Sequence, residues 1–430
     1  MPRRSALLVT YPFPPLIGTS GTQRVLAFMQ GLVDADWQVT VLTCTAGAYP
    51  ETSTELEKAV PSTVRVLRAP TLDIARHVAI RGRYLRSLAL PDRWNSWWLS
   101  GLAVARSKLW KTPPDVVWST YPIATAHALG RSLAHGLRAP WVADFRDPMT
   151  EPGFPTDPRV HRAFSRIERH ALQEAARITV TTPSLLRLYS EYCPEAISRL
   201  LLLPNGFDES VFAAAAASLP PRTAGNGRVT VVHSGYVYPD ERNPTELFLA
   251  IRELKASGRL SAGDLRLVLR GAGEYASRHA DLQRLGIDDI VEVSPPLTHV
   301  EAIREMLAAD GLLLLQGRIC NNQIPAKLYE YLRAQRPILA LTERDGDTAR
   351  ALIGFGSPVI APLEDRARIL EALPQFLAKV RSGAPLAAEL SRVSQYSRQA
   401  QARRFTEVLE EVASSGRLDS NSRRAPPHHG

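Results

Sequence analysis

Lys327 and Glu330 are the residues whose types and spacing point most directly to chemistry. They lie in Asn321-Asn322-Gln323-Ile324-Pro325-Ala326-Lys327-Leu328-Tyr329-Glu330-Tyr331-Leu332, between apolar runs at 311–316 and 338–341. The pattern predicts strand, loop, helix, strand. Pro325 stands where the helix begins; there its missing N–H costs nothing and its φ is already helical. Free backbone N–H groups at such a terminus attract anions. A lysine in the first turn opposes the helix dipole, and a bound phosphate would remove that conflict. Glu330 is one turn further on and faces the same way. A phosphate site with a carboxylate acceptor beside it is what a nucleoside diphosphate and its ribose require. An ordinary surface helix with an i,i+3 Lys–Glu pair would carry the same spacing.

Other candidates follow apolar runs in the same way. Gly235 comes just after the run 229–233, where the absence of a Cβ allows close approach to phosphate, and Arg242 follows. Gly271-Ala272-Gly273 comes after 265–270, but the full Gly-x-Gly-x-x-Gly pattern fails at Ala276. That failure, and its absence from 11–21, argues against a nucleotide-dependent dehydrogenase. Asp144, Arg146 and Asp147 follow the run 141–145. Either aspartate could orient an acceptor hydroxyl or act as a base, or the group could be a structural Arg–Asp cluster. His127, His135, His161 and His170 are expected on helix surfaces.

Composition bounds the rest. With 430 residues, 45% of them hydrophobic, the chain can build two cores. A formal charge of +9 suits anionic partners without choosing among them. Cys44, Cys193 and Cys320 have no metal-like spacing, and their odd number argues against a disulfide framework, so a reducing cytoplasm is expected. No run reaches the roughly 18–20 apolar residues of a membrane span. From 76 to 111, eight arginines and lysines interleave with Trp94, Trp97, Trp98 and Trp110. This mixture suits a membrane interface, and it also suits a core helix with a solvated flank; nucleic acid is not expected.

Elements able to position these residues alternate along the chain. Strands are expected at 6–11, 38–43, 64–67, 115–119, 141–145 and 178–182, with helices at 22–33 and 124–137. The pattern restarts with strands at 229–233, 265–270, 290–293, 311–316, 338–341 and 358–361. This alternation predicts an α/β protein with two doubly wound parallel sheets. The expected division is 1–208 for a first domain, 209–228 for a linker and 229–390 for a second domain. A helix at 391–413 is expected to pack back on the first domain, and a disordered tail to occupy 414–430.

In this order, the motifs resemble glycosyltransferases of the GT-B fold, close to glycosyltransferase family 4. The resemblance is carried by Tyr11-Pro12-Phe13-Pro14-Pro15 through Gly18, Gly21 and Arg24, and by 37–43. It continues through Ala143-Asp144-Phe145-Arg146-Asp147-Pro148, Asn205-Gly206-Phe207-Asp208, and Ser234-Gly235-Tyr236-Val237-Tyr238 with Arg242 and Pro244. Ile324-Pro325-Ala326-Lys327-Leu328-Tyr329-Glu330-Tyr331 completes it. It implies two Rossmann-like domains facing a central cleft, 1–208 on the acceptor side and 229–390 binding the nucleotide sugar. Gly18, Gly21, Gly235, Arg242 and Lys327 would hold the donor diphosphate, and Arg24, with Gly18 and Gly21, would face the donor phosphates or sugar. Gly271, Gly273, Asn322, Ile324, Pro325 and Glu330 would hold the nucleotide, its ribose and the sugar, and Asp144, Arg146 and Asp147 would be catalytic. Many members carry another glutamate eight positions before Glu330, where this chain has Asn322. Many also have a histidine near the Asp-Phe-Arg-Asp stretch.

The implied activity is transfer of a sugar, with retention, from a UDP- or GDP-type donor to an acceptor hydroxyl in polysaccharide, lipopolysaccharide or glycolipid synthesis. No cofactor or metal is expected, the chain being read as having no Asp-x-Asp pair. The acceptor would be a glycan, a lipid-linked sugar or a small molecule, with 76–111 as the membrane contact at the inner face. Alternatives are a sugar-nucleotide 2-epimerase of the same fold and a non-catalytic protein that binds anionic polymer.

Overall fold

The computed structural model describes residues 3–17, 19–219, 227–273, 275–356, 358–383 and 389–422. The chain divides into two compact units, Met1–Asn205 with Arg398–Gly430, and Gly206–Ser397.

In the first unit, short apolar runs become seven strands: β1 (Ser5–Val9), β2 (Gln38–Cys44), β3 (Arg65–Ala69), β4 (Val116–Thr120), β5 (Trp141–Phe145), β6 (Arg177–Val180) and β7 (Leu200–Leu202). They pair in parallel in the order β3-β2-β1-β4-β5-β6-β7. Leu8 sits between Val41 and Trp118 in register, and Asp144 beside Thr179. All five residues of β4 and of β5 are buried, as expected of strands covered on both faces. The strand order reverses between β1 and β4, which is where such sheets place ligands, beyond the carboxyl ends.

One face of this sheet carries Trp97, Leu129, Phe145 and Tyr189, the other Phe28, Met29, Trp118 and Phe405. Phe405 comes from the last helix, Arg398–Ser422. It stacks on Phe28 at 4.2 Å and meets Trp118 edge-on at 5.4 Å. A Cβ on Gly31 would come within 2.8 Å of Ala402 Cβ, so glycine there lets the two helices touch. The last helix therefore packs on the first unit, but it begins and ends later than the expected 391–413. Residues 414–422, expected as disordered tail, continue it; 423–430 lie outside the described residues.

The second unit repeats the design with β8 (Val229–Ser234), β9 (Leu265–Arg270), β10 (Val291–Ser294), β11 (Gly311–Leu315), β12 (Ile338–Leu341) and β13 (Val359–Ala361). The parallel order is β10-β9-β8-β11-β12-β13, with its reversal between β8 and β11. Two α/β sheets of this kind bear out the expected fold class. The expected linker differs. Asp208 caps a helix at Glu209–Ala217, whose Phe212 is buried against Phe207 at 5.7 Å. This run of alanines is a good helix former, and its one aromatic anchors it to the second core. Residues 220–226 of that stretch lie outside the described residues.

Candidate active site

In the first unit, Asp144 and Asp147 stand three residues apart in opposite environments. Asp144 is in β5 with its side chain fully buried. Arg24, from the helix Ser20–Asp34, reaches Asp144 Oδ1 with Nη2 at 2.9 Å and Oδ2 with Nε at 3.3 Å. Thr179 Oγ1 donates to Oδ1 at 2.6 Å and Thr120 Oγ1 to Oδ2 at 2.8 Å. Burial alone would raise its pKa, but the Arg24 charge and these hydrogen bonds hold the carboxyl below its usual range. A carboxylate saturated by four donors is a poor base, so Asp144 acts as an anchor between β4, β5, β6 and the first helix. Arg24 is committed too. It also donates to the carbonyls of Leu203 and Pro204, both at 2.9 Å, which leaves it unsuited to the phosphate contact expected of it.

Asp147 is half-buried, past the end of the strand. Burial pushes its carboxyl above the ordinary range, opposed by the Arg146 charge. Carboxyls driven apart in this way divide naturally into a structural anion and a proton acceptor. Arg146, lowered mainly by burial and held up by Asp147, lies against Gly21; a Cβ there would sit 2.1 Å from Arg146 Nη1. Gly21 therefore makes room for an arginine side chain, where approach of a phosphate was expected. Gly18 lies outside the described residues.

Glu168 was not anticipated. It is buried in the helix Pro158–Glu174, and it accepts from Met149 N at 3.0 Å, Thr150 N at 3.3 Å, Tyr189 Oη at 2.6 Å and Thr150 Oγ1. It thereby pins the segment that leads out of Asp147. A carboxylate one turn after Phe164 and one before Leu172, on the apolar face, was the available signal. His127 is also not at the surface. It is fully buried, with Nδ1 2.8 Å from Ser119 Oγ, and burial lowers its pKa to about 3. His135 is exposed, as expected.

In the second unit the expected donor residues gather at the strand-order reversal. Pro325 caps the helix Ala326–Ala334 rather than forming its first turn, and no side chain closes that end. Tyr331 of this helix ties it to both flanking strands, accepting from Ser234 N at 3.0 Å and lying 3.3 Å from the Leu313 carbonyl. Lys327 Nζ points at the β8 turn: a Cβ on Gly235, whose φ is +124°, would sit 2.9 Å from it. Burial first, then the nearby Arg242 charge, lowers Lys327 to about 7, with Glu330 opposing. Arg242 is held over the Tyr238 ring at 5.1 Å and donates to the Tyr236 carbonyl at 3.2 Å. Two cations crowded at a glycine turn beside an uncapped helix end make a ready anion site.

Glu330 Oε1 lies 2.9 Å from Nε2 of His299, a partner not anticipated from the sequence. Gly271 and Gly273 form the adjoining turn at φ +66° and +72°. A Cβ on Gly273 would strike the Tyr236 ring at 2.3 Å. Ile324 is buried in the core, whereas Asn322 is exposed. The chain contains two Asp-x-Asp spacings after all, Asp34–Asp36 and Asp345–Asp347. Asp34 accepts from Gln30, Asp36 pairs with Arg3, Asp345 accepts from Asn321 and Asp347 pairs with Arg350. Among the described residues, no group of three or more His, Cys, Asp or Glu side chains could hold a metal ion.

Residues 20–206 match the family model described as a glycosyl transferase 4-like domain. No curated protein matches the chain. Among solved structures, sucrose-phosphate synthase from Thermosynechococcus elongatus is similar at 15% identity and a TM-score of 0.64, over 99% of this chain and 100% of that one. The UDP-forming alpha,alpha-trehalose-phosphate synthase from Burkholderia vietnamiensis is similar at 14% identity and a TM-score of 0.65, over 96% and 100%. HepE from Anabaena, solved in complex with UDP-glucose, is similar at 13% identity and a TM-score of 0.56, over 97% and 99%. At these identities the likeness establishes the fold. The expected resemblance to GT-B glycosyltransferases close to family 4 is supported on two sides: residues 20–206 match a domain of that type, and the two-sheet fold is the one these solved glycosyltransferases share.

Proposed function

We propose that the protein transfers a sugar from a uridine diphosphate sugar to an acceptor hydroxyl, with retention and without a metal ion. The observation that carries this reading is the pairing of Lys327 with Arg242 at the Gly235 turn, with Glu330 one helical turn away. As the glycosidic bond breaks, the leaving diphosphate gains negative charge. Lys327, Arg242 and the backbone N–H groups after Pro325 would stabilise it, the largest electrostatic contribution open to such a site. Glu330 would accept from the ribose hydroxyls, and Asp147 would orient the acceptor hydroxyl or take its proton. Uridine is favoured because the solved neighbours include proteins named as UDP-forming or bound to UDP-glucose.

The acceptor is proposed to be lipid-linked, in glycolipid, lipopolysaccharide or polysaccharide synthesis at the inner face of the membrane. Ile80, Leu85, Leu99 and Trp110 are 79%, 71%, 67% and 62% exposed among the arginines and lysines of 76–111. The only acids from 72 to 111 point inward: Asp73 is buried, and Asp92 accepts from Thr125. A basic, apolar surface of this kind suits anionic lipid. Trp94 and Trp97 serve packing instead, through Trp94 Nε1 on the Ala48 carbonyl at 3.2 Å and full burial of Trp97. Among the described residues, no helix is long and apolar enough to cross a membrane.

Calorimetry with UDP, GDP and ADP, first without metal and then with magnesium, tests the donor site. Metal-independent binding of UDP, lost in Glu330→Ala and Lys327→Ala, is the expected result. Equal binding by wild type and both variants would sink the assignment. Product analysis with donor alone separates transfer from 2-epimerisation.

A further inference from the structure

Behind Lys327 lies a side chain that the reaction scheme does not use. His233 is the penultimate residue of β8 and is fully buried. Its Nδ1 lies 3.0 Å from the Leu313 carbonyl of β11, and its Nε2 lies 3.2 Å from Lys327 Nζ. A carbonyl only accepts, so Nδ1 carries the proton. Burial, reinforced by the Lys327 and Arg242 charges, keeps the ring neutral. Nε2 therefore presents a lone pair to the lysine amine, 3.2 Å away. A polar ring at a fully buried strand position costs stability unless both nitrogens are satisfied. Here both are, one by the sheet and the other by the candidate anion-binding group.

We propose that His233 is a positioning residue for the donor phosphates: its Nε2 holds the Lys327 amine against the Gly235 turn, where an anion can reach it. This rests on the donor-site reading above. The remaining groups around the amine fit the role. Arg242, from the loop after β8, repels a charged lysine; Glu330, on its own helix, attracts it, but is engaged by His299 from the helix His299–Ala308. A neutral acceptor steadies the amine without neutralising it, so the charge remains available to a ligand. A carboxylate in the same place would compete with the phosphate.

The test is UDP affinity across about pH 6 to about pH 8, a window bracketing the Lys327 value, in wild type, His233→Leu, His233→Gln and Lys327→Ala. Losing a hydrogen bond to a charged group should weaken binding about tenfold in His233→Leu. The loss should be larger at the alkaline end, because the ammonium form is then harder to reach. His233→Gln, which keeps an acceptor, should recover most of the affinity. Thermal midpoints measured in parallel separate a folding defect from a binding one, since a merely structural histidine would lower the midpoint and leave the pH profile unmoved. Wild-type affinity and pH profile in His233→Leu, while Lys327→Ala loses binding, would overturn the inference alone. Unchanged binding in Lys327→Ala would overturn the donor site and this inference together.

Discussion

The contrast between Asp144 and Asp147 is the clearest statement at the scale of single residues. Asp144→Asn leaves the buried Arg24 guanidinium without its charge partner and should destabilise the first unit by about 3–5 kcal/mol in denaturant titration. Because Asp144 is held below its unfolded value, its contribution is complete at neutral pH and is lost as pH falls through the lowered folded value. Asp147→Asn should leave the fold intact and lower kcat by about 10²–10⁴ if the carboxylate takes a proton in the transition state. With its carboxyl raised by burial, the acid limb of kcat should lie above the usual aspartate range. Lys327 gives the opposite sign. Lowered to about 7 before an anion arrives, it is largely neutral at pH 8, where binding a diphosphate must draw in a proton. UDP calorimetry in two buffers of different ionisation enthalpy should report uptake of about one proton at pH 8 and less at pH 6.

Elements matter because they aim these groups. The helix Ala326–Ala334 is set by Tyr331 on β8 and β11, so Lys327 approaches one turn and no other. Gly235→Ala places a methyl 2.9 Å from Lys327 Nζ at a φ of +124°. It should cost about 1–3 kcal/mol of stability and weaken UDP binding besides, by displacing the amine. Gly273→Ala meets the rigid Tyr236 ring at 2.3 Å; a similar or larger loss of stability is expected in thermal denaturation. In the first unit, Glu168 does for the Asp147 segment what Tyr331 does for the helix. Glu168→Gln should raise KM for acceptor more than it lowers kcat, because it loosens the segment and removes no reacting group.

For the whole molecule, each sheet reverses its strand order once: in the second unit between β8 and β11, beside Gly235 and Lys327, and in the first between β1 and β4, one strand away from the Asp147 segment that follows β5. The last helix completes the first unit from the far end of the sequence. Phe405→Ala should cost about 3–5 kcal/mol, read as a lower unfolding midpoint of that unit. The surface at 76–111 should drive sedimentation with vesicles containing acidic lipid. Binding should fall with salt and in Ile80→Ser/Leu85→Ser, and unchanged binding in that variant would place the contact elsewhere.

Strand periodicity, the restart after Arg228 and the Lys327–Glu330 spacing were all legible in the chain itself, because they depend on neighbours within one turn or one strand. The same local reading placed 141–145 and 265–270 to the residue. It could not decide what fills the space beside a side chain. Gly21 faces an arginine 125 positions away, Asp144 is consumed by Arg24, His127 is buried and His233 backs Lys327; each depends on contacts between strands whose order the periodicity does not specify. The sequence alone determined the two-sheet architecture and the types of residue at the carboxyl ends of the strands. Tertiary structure alone decided which are anchors and which face a ligand, since burial and charge pairing arise only when distant segments meet.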